Sequence, residues 1–410
     1  MNRSLDLRFN FQVLSKVFFA IYLAYSNVLR YSVINIRGLS EVLLIIAIAA
    51  QLIHERFRLR LDKSLLALIV FALYVFLSGF LVAQDFDRLL SSLLTFVECI
   101  LVFYLVICYI AADGKPDFPM IAFIGLALIT TFFLIFRGVG LKRINIADTV
   151  NVNAIGVTLS FAIGFVLYLL ISKGNSPIKW VIGITSIAIL LVGVMMTASK
   201  KAIISGAALI ILWIFLCYRF TFARIPLALR FAVFGGIIAA GILVYRWYTS
   251  SYAQQMEYMI NRMSGLYVGE SDQARIEMIK EGLLIFVSHP IFGVGFNNAR
   301  YYISYATYTH CFYAEMLACT GIIGTILFGY AMIRPWAIIV KTRRRIRLRD
   351  SLQNTKIIYM LAVFIVFLLL NFTQIAFYAQ NLMYVFSVFS AFAICLDINN
   401  KRMGVENEKD

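Results

Sequence analysis

Apolar residues fall along this chain in runs of about twenty, separated by short polar breaks, from one end of the sequence to the other. A run of that length spans the hydrocarbon core of a bilayer as a helix, at about 1.5 Å per residue. The pattern predicts an all-α, polytopic integral membrane protein of about twelve transmembrane helices. Their cores fall near 12–32, 38–54, 64–83, 89–111, 118–137, 152–172, 179–198, 201–219, 228–248, 309–333, 356–376 and 380–398. Helices one to nine occupy residues 1–248, and a long loop occupies 249–308. Helices ten to twelve occupy 309–398, and a tail runs over 399–410.

The loop at 249–308 is far longer than its neighbours, and long loops in compact proteins are usually functional or disordered. Within it, ARIEMIKEGLLIFVSH places apolar residues at 276, 279, 283, 286 and 287. That spacing predicts an amphipathic helix lying along the outer membrane surface and packed on the bundle. HPIFGVGFNNA then predicts a turn, where Pro290 ends the helix and Gly293 and Gly295 allow a tight path.

Composition agrees with the pattern. The chain is 62% hydrophobic and only 14% charged, against roughly a quarter charged in ordinary soluble domains. Its N-terminus lacks the short apolar core and small-residue site of a cleavable signal, so the first helix is expected to serve as the targeting signal. The formal net charge of +16 would suggest nucleic acid in a soluble protein. Here it is assigned to orientation signals and, in part, to an anionic ligand; no nucleic-acid partner is expected. With the N-terminus in the cytoplasm, the inside segments hold about 24 Lys and Arg, and the short outside loops about 8. Both termini are therefore expected inside, with 249–308 outside. The six cysteines lie mostly within apolar runs without metal-ligand spacing, and no disulfide is expected.

Candidate chemistry gathers on the outer side. Lys200 and Lys201 sit in a tight turn just before a helix. They could snorkel into headgroups, or join the helix N-terminus in attracting phosphate. Arg262, Arg275, Lys280 and Arg300 come from the long loop, and Arg137, Lys142 and Arg143 from another outer loop. Each could be a solvated, paired charge; together they suit a pyrophosphate, which arginine can hold bidentately. His310 is one of 3 histidines and opens an apolar run, as a structural residue or as a base. Gly321 and Gly324 lie one turn apart and are read as a close-packing face. No nucleotide-binding loop, metal cluster or hydrolase elbow is present in the pattern. Any reaction is expected to be metal-independent and cofactor-free, with basic side chains neutralising a leaving group.

Four stretches carry a resemblance: NVNAIGVTLS at 151–160, TASKKAIISG at 197–206, SHPIFGVGFNNA at 288–299 and HCFYAEMLACTGIIG at 310–324. In these the chain resembles the superfamily of bacterial O-antigen polymerases and O-antigen ligases, over roughly residues 150–330. Lysine stands near position 200 where the family usually has arginine, and Cys311 stands where an Asn commonly follows the histidine. The resemblance implies a membrane glycosyltransferase of the bacterial cytoplasmic membrane with its active site on the extracytoplasmic face. It implies a substrate glycan linked through pyrophosphate to undecaprenol, membrane lipids as surroundings, and a chain-length regulator protein as a partner. On this reading Lys200, Lys201, Arg262 and Arg275 hold the pyrophosphate. His310 accepts or orients the acceptor proton, with Arg275 beside it, and Asn153, Gly293 and Gly295 form a substrate loop. The favoured expectation is a polymerase that joins repeat units into O-antigen, capsule or exopolysaccharide. The alternatives are a ligase that transfers the glycan to lipid A core, and a flippase that moves the lipid-linked sugar without chemistry.

Overall fold

A computed structural model describes residues 10–29, 36, 38–137, 152–171, 176–197, 199–217, 270–346 and 351–407. The helix expected at 228–248, the first part of the long loop, and Lys142, Arg143 and Arg262 lie outside the described residues. Among the described residues, twelve α-helices follow in order: α1 (Phe11–Ala24), α2 (Leu39–His54), α3 (Lys63–Val82), α4 (Phe86–Asp113), α5 (Asp117–Arg137), α6 (Val152–Leu170), α7 (Pro177–Met196), α8 (Lys200–Cys217), α9 (Glu270–Ser288), α10 (Phe312–Ile346), α11 (Ser351–Leu370) and α12 (Gln380–Asn407). No strand occurs among the described residues, and nine of the helical segments are long and apolar enough to cross a membrane. The chain is an all-helical, polytopic membrane protein. In lipid every backbone amide must be satisfied within its own segment, which is why apolar runs of this length become helices.

Local signals set the helix ends. Asp62 caps α3 by accepting from the Ser64 amide at 2.7 Å, and Asp85 caps α4 by accepting from Arg88 N at 2.9 Å. Ser176 precedes α7 with Pro177 in its first turn. The first apolar run departs from expectation: α1 stops at Ala24 and passes into a π-helical turn over Tyr25–Leu29. There Asn27 donates its side-chain amide to the Leu23 carbonyl at 2.9 Å, so the polar residues within the run loosen its end.

Helices α4, α6 and α12 form the interior. The membrane-length windows of α6 and α12 are each 83% buried, that of α4 is 72%, whereas α7 is only 28% buried and turns most of its surface outward. Helix α4 packs on α12, α3 on α10, α1 on α2, and α6 on α7 and α8. An aromatic knot of Phe71, Phe96, Phe296 and Phe328 joins α3, α4 and α10 to the loop that precedes α10, with edge-to-face contacts of 5.3–6.2 Å between ring centres.

Helix α10 contains a break. At Gly321 the backbone takes φ 60° and ψ −164°, a conformation suited to glycine alone. The broken turn frees the Ala318 and Cys319 carbonyls, which accept from Val294 N and Gly295 N, each at 3.0 Å. In return the Ile322 amide donates to the Pro290 carbonyl at 2.8 Å. The turn after α9 therefore completes the hydrogen bonding that α10 gives up. A Cβ on Gly321 would stand 2.3 Å from the Ile291 oxygen, and one on Gly293 would stand 2.5 Å from the Cys319 carbonyl carbon. Of the expected glycine pair, Gly324 does face a neighbouring helix, through Tyr74 of α3. Gly321 instead admits the loop.

Helix α9 forms where the amphipathic pattern places a helix. It buries Met278, Gly282 and Ile285 against α10 and the following loop, while Ile276, Leu283, Leu284 and Val287 are exposed. The apolar stripe read from the sequence therefore points away from the bundle. Periodicity identifies such a stripe but not its partner, and for a helix beside a membrane the outward direction leads to lipid.

Candidate functional site

A chamber of about 820 Å³ opens at one end of the bundle. Its lining comes from helix ends that meet there: the last turn of the first helix, the starts of α2, α4, α6 and α8, and the crossing between α11 and α12. This is the end that the alternation of helices and the Lys/Arg distribution assign to the outside.

Four of the expected residues line this chamber. Lys201 comes from the first turn of α8, Arg275 from α9, His310 from the loop before α10, and Asn153 from the first turn of α6. They are separated by up to 157 positions (310 − 153) and meet only through the fold. Lys201 donates its ammonium group to the Thr373 carbonyl, which fixes one cation at the chamber wall. Lys200, its neighbour, does not line the chamber among the described residues. A helix turns by about 100° per residue, so two adjacent lysines cannot face the same way. Gly293 and Gly295 lie in the joint with α10 and against Ala83, not in the chamber wall.

His310 has φ +58°, left-handed and uncommon for a residue with a Cβ. The surroundings enforce it. Before it, the Thr309 amide donates to Glu315 Oε2 at 2.9 Å, and the Thr309 hydroxyl donates to the Cys311 carbonyl at 2.9 Å. After it, the Phe312 amide donates to the Asn371 carbonyl at 2.8 Å. Glu315 is fully buried, and its other oxygen accepts from the Tyr378 hydroxyl at 3.3 Å. A buried carboxylate thus clamps the backbone that presents the imidazole. The His310 ring sits 4.3 Å from that of Tyr308, centre to centre. Burial first, then the charges of Arg275 and Lys201, push the His310 pKa down from 6.5 to about 4. The imidazole is therefore neutral at pH 7, with one ring nitrogen able to accept and the other to donate. Cys311 is buried and absent from the lining.

The loop that carries this region is pinned at several points. Asn298, fully buried, accepts from Asp85 N at 2.7 Å and donates to the carbonyls of Asp85 and Phe296. Asn297 donates to the Ser92 hydroxyl at 2.7 Å, and Tyr301 donates to Asp85 Oδ2 at 2.5 Å. The Tyr301 hydroxyl and then the Arg88 amide hold the Asp85 carboxyl below its usual pKa. On the other side, Ser304 donates to Glu281 through its amide at 3.1 Å, and Tyr305 to Glu277 at 2.6 Å, which ties the loop to α9 and so to Arg275.

The sequence reading missed the carboxylates of the lining. Glu41, Asp87 and Glu98 line the same chamber, with Ser91, Thr95, Gln380 and Asn381. Their signal is present in the sequence: Asp87, Ser91, Thr95 and Glu98 recur at helical spacing along the start of an apolar run. Among the described residues no three His, Cys, Asp or Glu side chains converge to hold a metal ion.

Comparison with known proteins bears on this region directly. No curated protein matches the chain. Residues 185–329 match the family described as O-antigen ligase, a stretch that holds Lys201, Arg275 and His310. This match is consistent with the O-antigen ligase and polymerase superfamily, and supports membrane glycan processing of that type.

Proposed function

We infer that the protein is a membrane glycosyltransferase that polymerises glycan repeat units linked through pyrophosphate to undecaprenol. The observation that carries this reading is the meeting of Lys201, Arg275 and His310 in one chamber within an otherwise apolar bundle. The leaving group in such a transfer is a lipid diphosphate, and its departure builds negative charge. Lys201 supplies a point charge, and Arg275 a planar fork that matches two phosphate oxygens. Lys201 is held at the chamber wall by the Thr373 carbonyl before substrate arrives, so little reorganisation opposes its action.

The acceptor hydroxyl of one repeat unit attacks the anomeric carbon of the growing chain. The new C–O bond forms as the bond to pyrophosphate breaks, and the electron pair leaves with the phosphate. The hydroxyl proton goes to a base in the chamber. His310, neutral and held in one orientation, accepts or steers that proton. Asn153 donates to sugar or phosphate oxygens from the α6 N-terminus. Arg262, in the same long loop as Arg275, and Lys200, beside Lys201, are proposed to add positive charge along the approach of the diphosphate. Gly293 and Gly295 serve by letting the substrate loop close on α10. The exposed stripe of α9 rests in the interface of the bacterial cytoplasmic membrane, and the isoprenoid tail enters sideways between helices. The active site faces away from the cytoplasm, with both termini inside. A chain-length regulator is the expected protein partner.

A second reading is favoured by the description of the matched family: a ligase that transfers the glycan to lipid A core. Purified full-length protein in nanodiscs, given only lipid-linked repeat units, separates the two. A ladder of products without added core is expected. Product formed only when lipid A core is supplied would reject polymerisation in favour of ligation.

A further inference from the structure

Beside the chamber lies an open cleft of about 470 Å³, lined by Gln84, Asp85, Phe86, Asp87 and Tyr301. Asp87 lines both cavities, so the two adjoin across the first turn of α4. The size falls within the range of about 300–1,000 Å³ common to small-molecule sites. The walls come from two distant stretches of chain: the α3–α4 connection with the start of α4, and the loop between α9 and α10. Asn298 locks them together, accepting from Asp85 N at 2.7 Å and donating to the Asp85 carbonyl at 3.1 Å. Tyr301 closes the same joint by donating its hydroxyl to Asp85 Oδ2. With its phenol tied at that end, the Tyr301 ring keeps a set orientation while the residue stays 42% exposed. Phe86, half-buried, rests its ring against that of Phe80 at 4.6 Å between ring centres. The cleft is therefore formed before a ligand arrives, which lowers the ordering cost of binding.

Two aromatic rings stand here beside a side-chain amide, and that combination matches one kind of ligand. A sugar ring presents a face of C–H groups that can cover an aromatic ring, and a rim of hydroxyls that exchange hydrogen bonds with an amide. A lipid chain fits poorly. Asp85, Asp87 and the Arg88 guanidinium, which lies 5.9 Å over the Tyr301 ring, surround the rings with charge that hydrocarbon would desolvate. Position names the occupant. A glycan whose pyrophosphate sits at Lys201 and Arg275 must leave the chamber as it lengthens, and the cleft shares a lining residue with that chamber. Tyr302, 45% exposed in the same loop, lines neither cavity and serves as a comparison.

Resting on the glycosyl-transfer reading of the chamber, we propose that this cleft is an outer glycan subsite. In it the Tyr301 and Phe86 rings and the Gln84 amide hold the sugars of a lipid-linked glycan that project from the chamber. The probe is the repeat-unit oligosaccharide released from its carrier by mild acid; without a diphosphate it cannot be transferred. Full-length protein in nanodiscs is titrated with this oligosaccharide and, separately, with undecaprenyl pyrophosphate. Tyr301→Ala is expected to weaken oligosaccharide binding about fivefold or more, and to leave undecaprenyl pyrophosphate affinity within about twofold of wild type. Tyr301→Phe, which keeps the ring, and Tyr302→Ala, which removes an exposed ring elsewhere, are expected to stay within about twofold for both ligands. The proposal is overturned if wild type fails to bind the oligosaccharide at millimolar concentration, or if Tyr301→Ala binds it unchanged. An equal loss in Tyr301→Phe or in Tyr302→Ala overturns it too. Should Tyr301→Ala fail to fold, Gln84→Ala, on an exposed side chain of the same cleft, decides: a loss of about threefold or more is expected, and unchanged binding overturns the subsite. The subsite and the polymerase reading fail separately. The expected binding pattern in a protein that forms no ladder rejects polymerisation and keeps the cleft. A ladder together with unchanged oligosaccharide affinity in Tyr301→Ala rejects the cleft and keeps polymerisation.

Discussion

His310 shows how much of a catalytic assignment depends on what surrounds a side chain. An imidazole in water titrates near 6.5. Here burial, with Arg275 and Lys201 nearby, moves it to about 4. The folded protein thus binds fewer protons at His310 than the unfolded chain does between those values. Its contribution to stability is unfavourable there, growing as pH falls from about 6.5 toward 4. The neutral imidazole persists at pH 5, so kcat/KM is expected to show no loss attributable to His310 between pH 7 and 5. An acid limb near 6.5 in the wild-type profile, with the His310 imidazole titrating near 6.5 by NMR, would contradict this. Replacing Arg275 by Gln removes the second-largest cause, and the His310 pKa, followed by NMR of labelled histidine, is expected to rise while remaining below 6.5. His310→Ala should abolish glycosidic bond formation with protein level unchanged; polymer of normal length in that variant would remove the role. The sequence made His310, Arg275 and Lys201 visible because a charge in an apolar chain is conspicuous. It hid Glu315 and Glu98, which lie inside apolar runs and gain meaning only when the fold shows what they touch.

At the scale of elements, the joint between the turn after α9 and the break in α10 is the feature most dependent on individual residues. Gly321→Ala forces a side chain into a glycine-only conformation and against the Ile291 carbonyl. It is expected to cost about 3 kcal/mol or more, read as a lowered unfolding temperature in detergent. Gly329→Ala, in the same helix with nothing within 4 Å of the added carbon, is expected to be neutral or stabilising by up to about 1 kcal/mol. Equal effects of the two would contradict the account of the joint. Asn298→Ala leaves the Asp85 amide without its partner and is expected to cost about 1–3 kcal/mol in the same assay. Among the described residues, most helix positions were legible from apolar run length. The break at Gly321 was not, because a GxxG pair reads equally well as a helix contact face, and only the hydrogen bonds given up and regained around 290–295 distinguish the two. The amphipathic pattern of α9 likewise gave the helix but not the side it presents to the bundle.

Across the whole molecule, alternating helices bring the starts of α2, α4, α6 and α8 to one end, and residues scattered from Ser26 to Leu382 build a single chamber there. The charge distribution assigns that end to the outside. It could not predict that cations and carboxylates would line one cavity, since separation along the sequence says nothing about proximity across a bundle. The central claim is that Lys201 and Arg275 hold the diphosphate of a lipid carrier. The most direct measurement is the affinity of purified full-length protein in nanodiscs for undecaprenyl pyrophosphate, compared among variants. Lys201→Ala and Arg275→Ala are each expected to weaken binding about tenfold or more, one charge-assisted contact being worth roughly 1.5–3 kcal/mol. Lys200→Ala, whose charge is proposed to lie along the approach and not at the chamber wall, is expected to weaken binding less than either. A Lys201→Ala, Arg275→Ala double variant that binds undecaprenyl pyrophosphate as tightly as wild type would contradict the account.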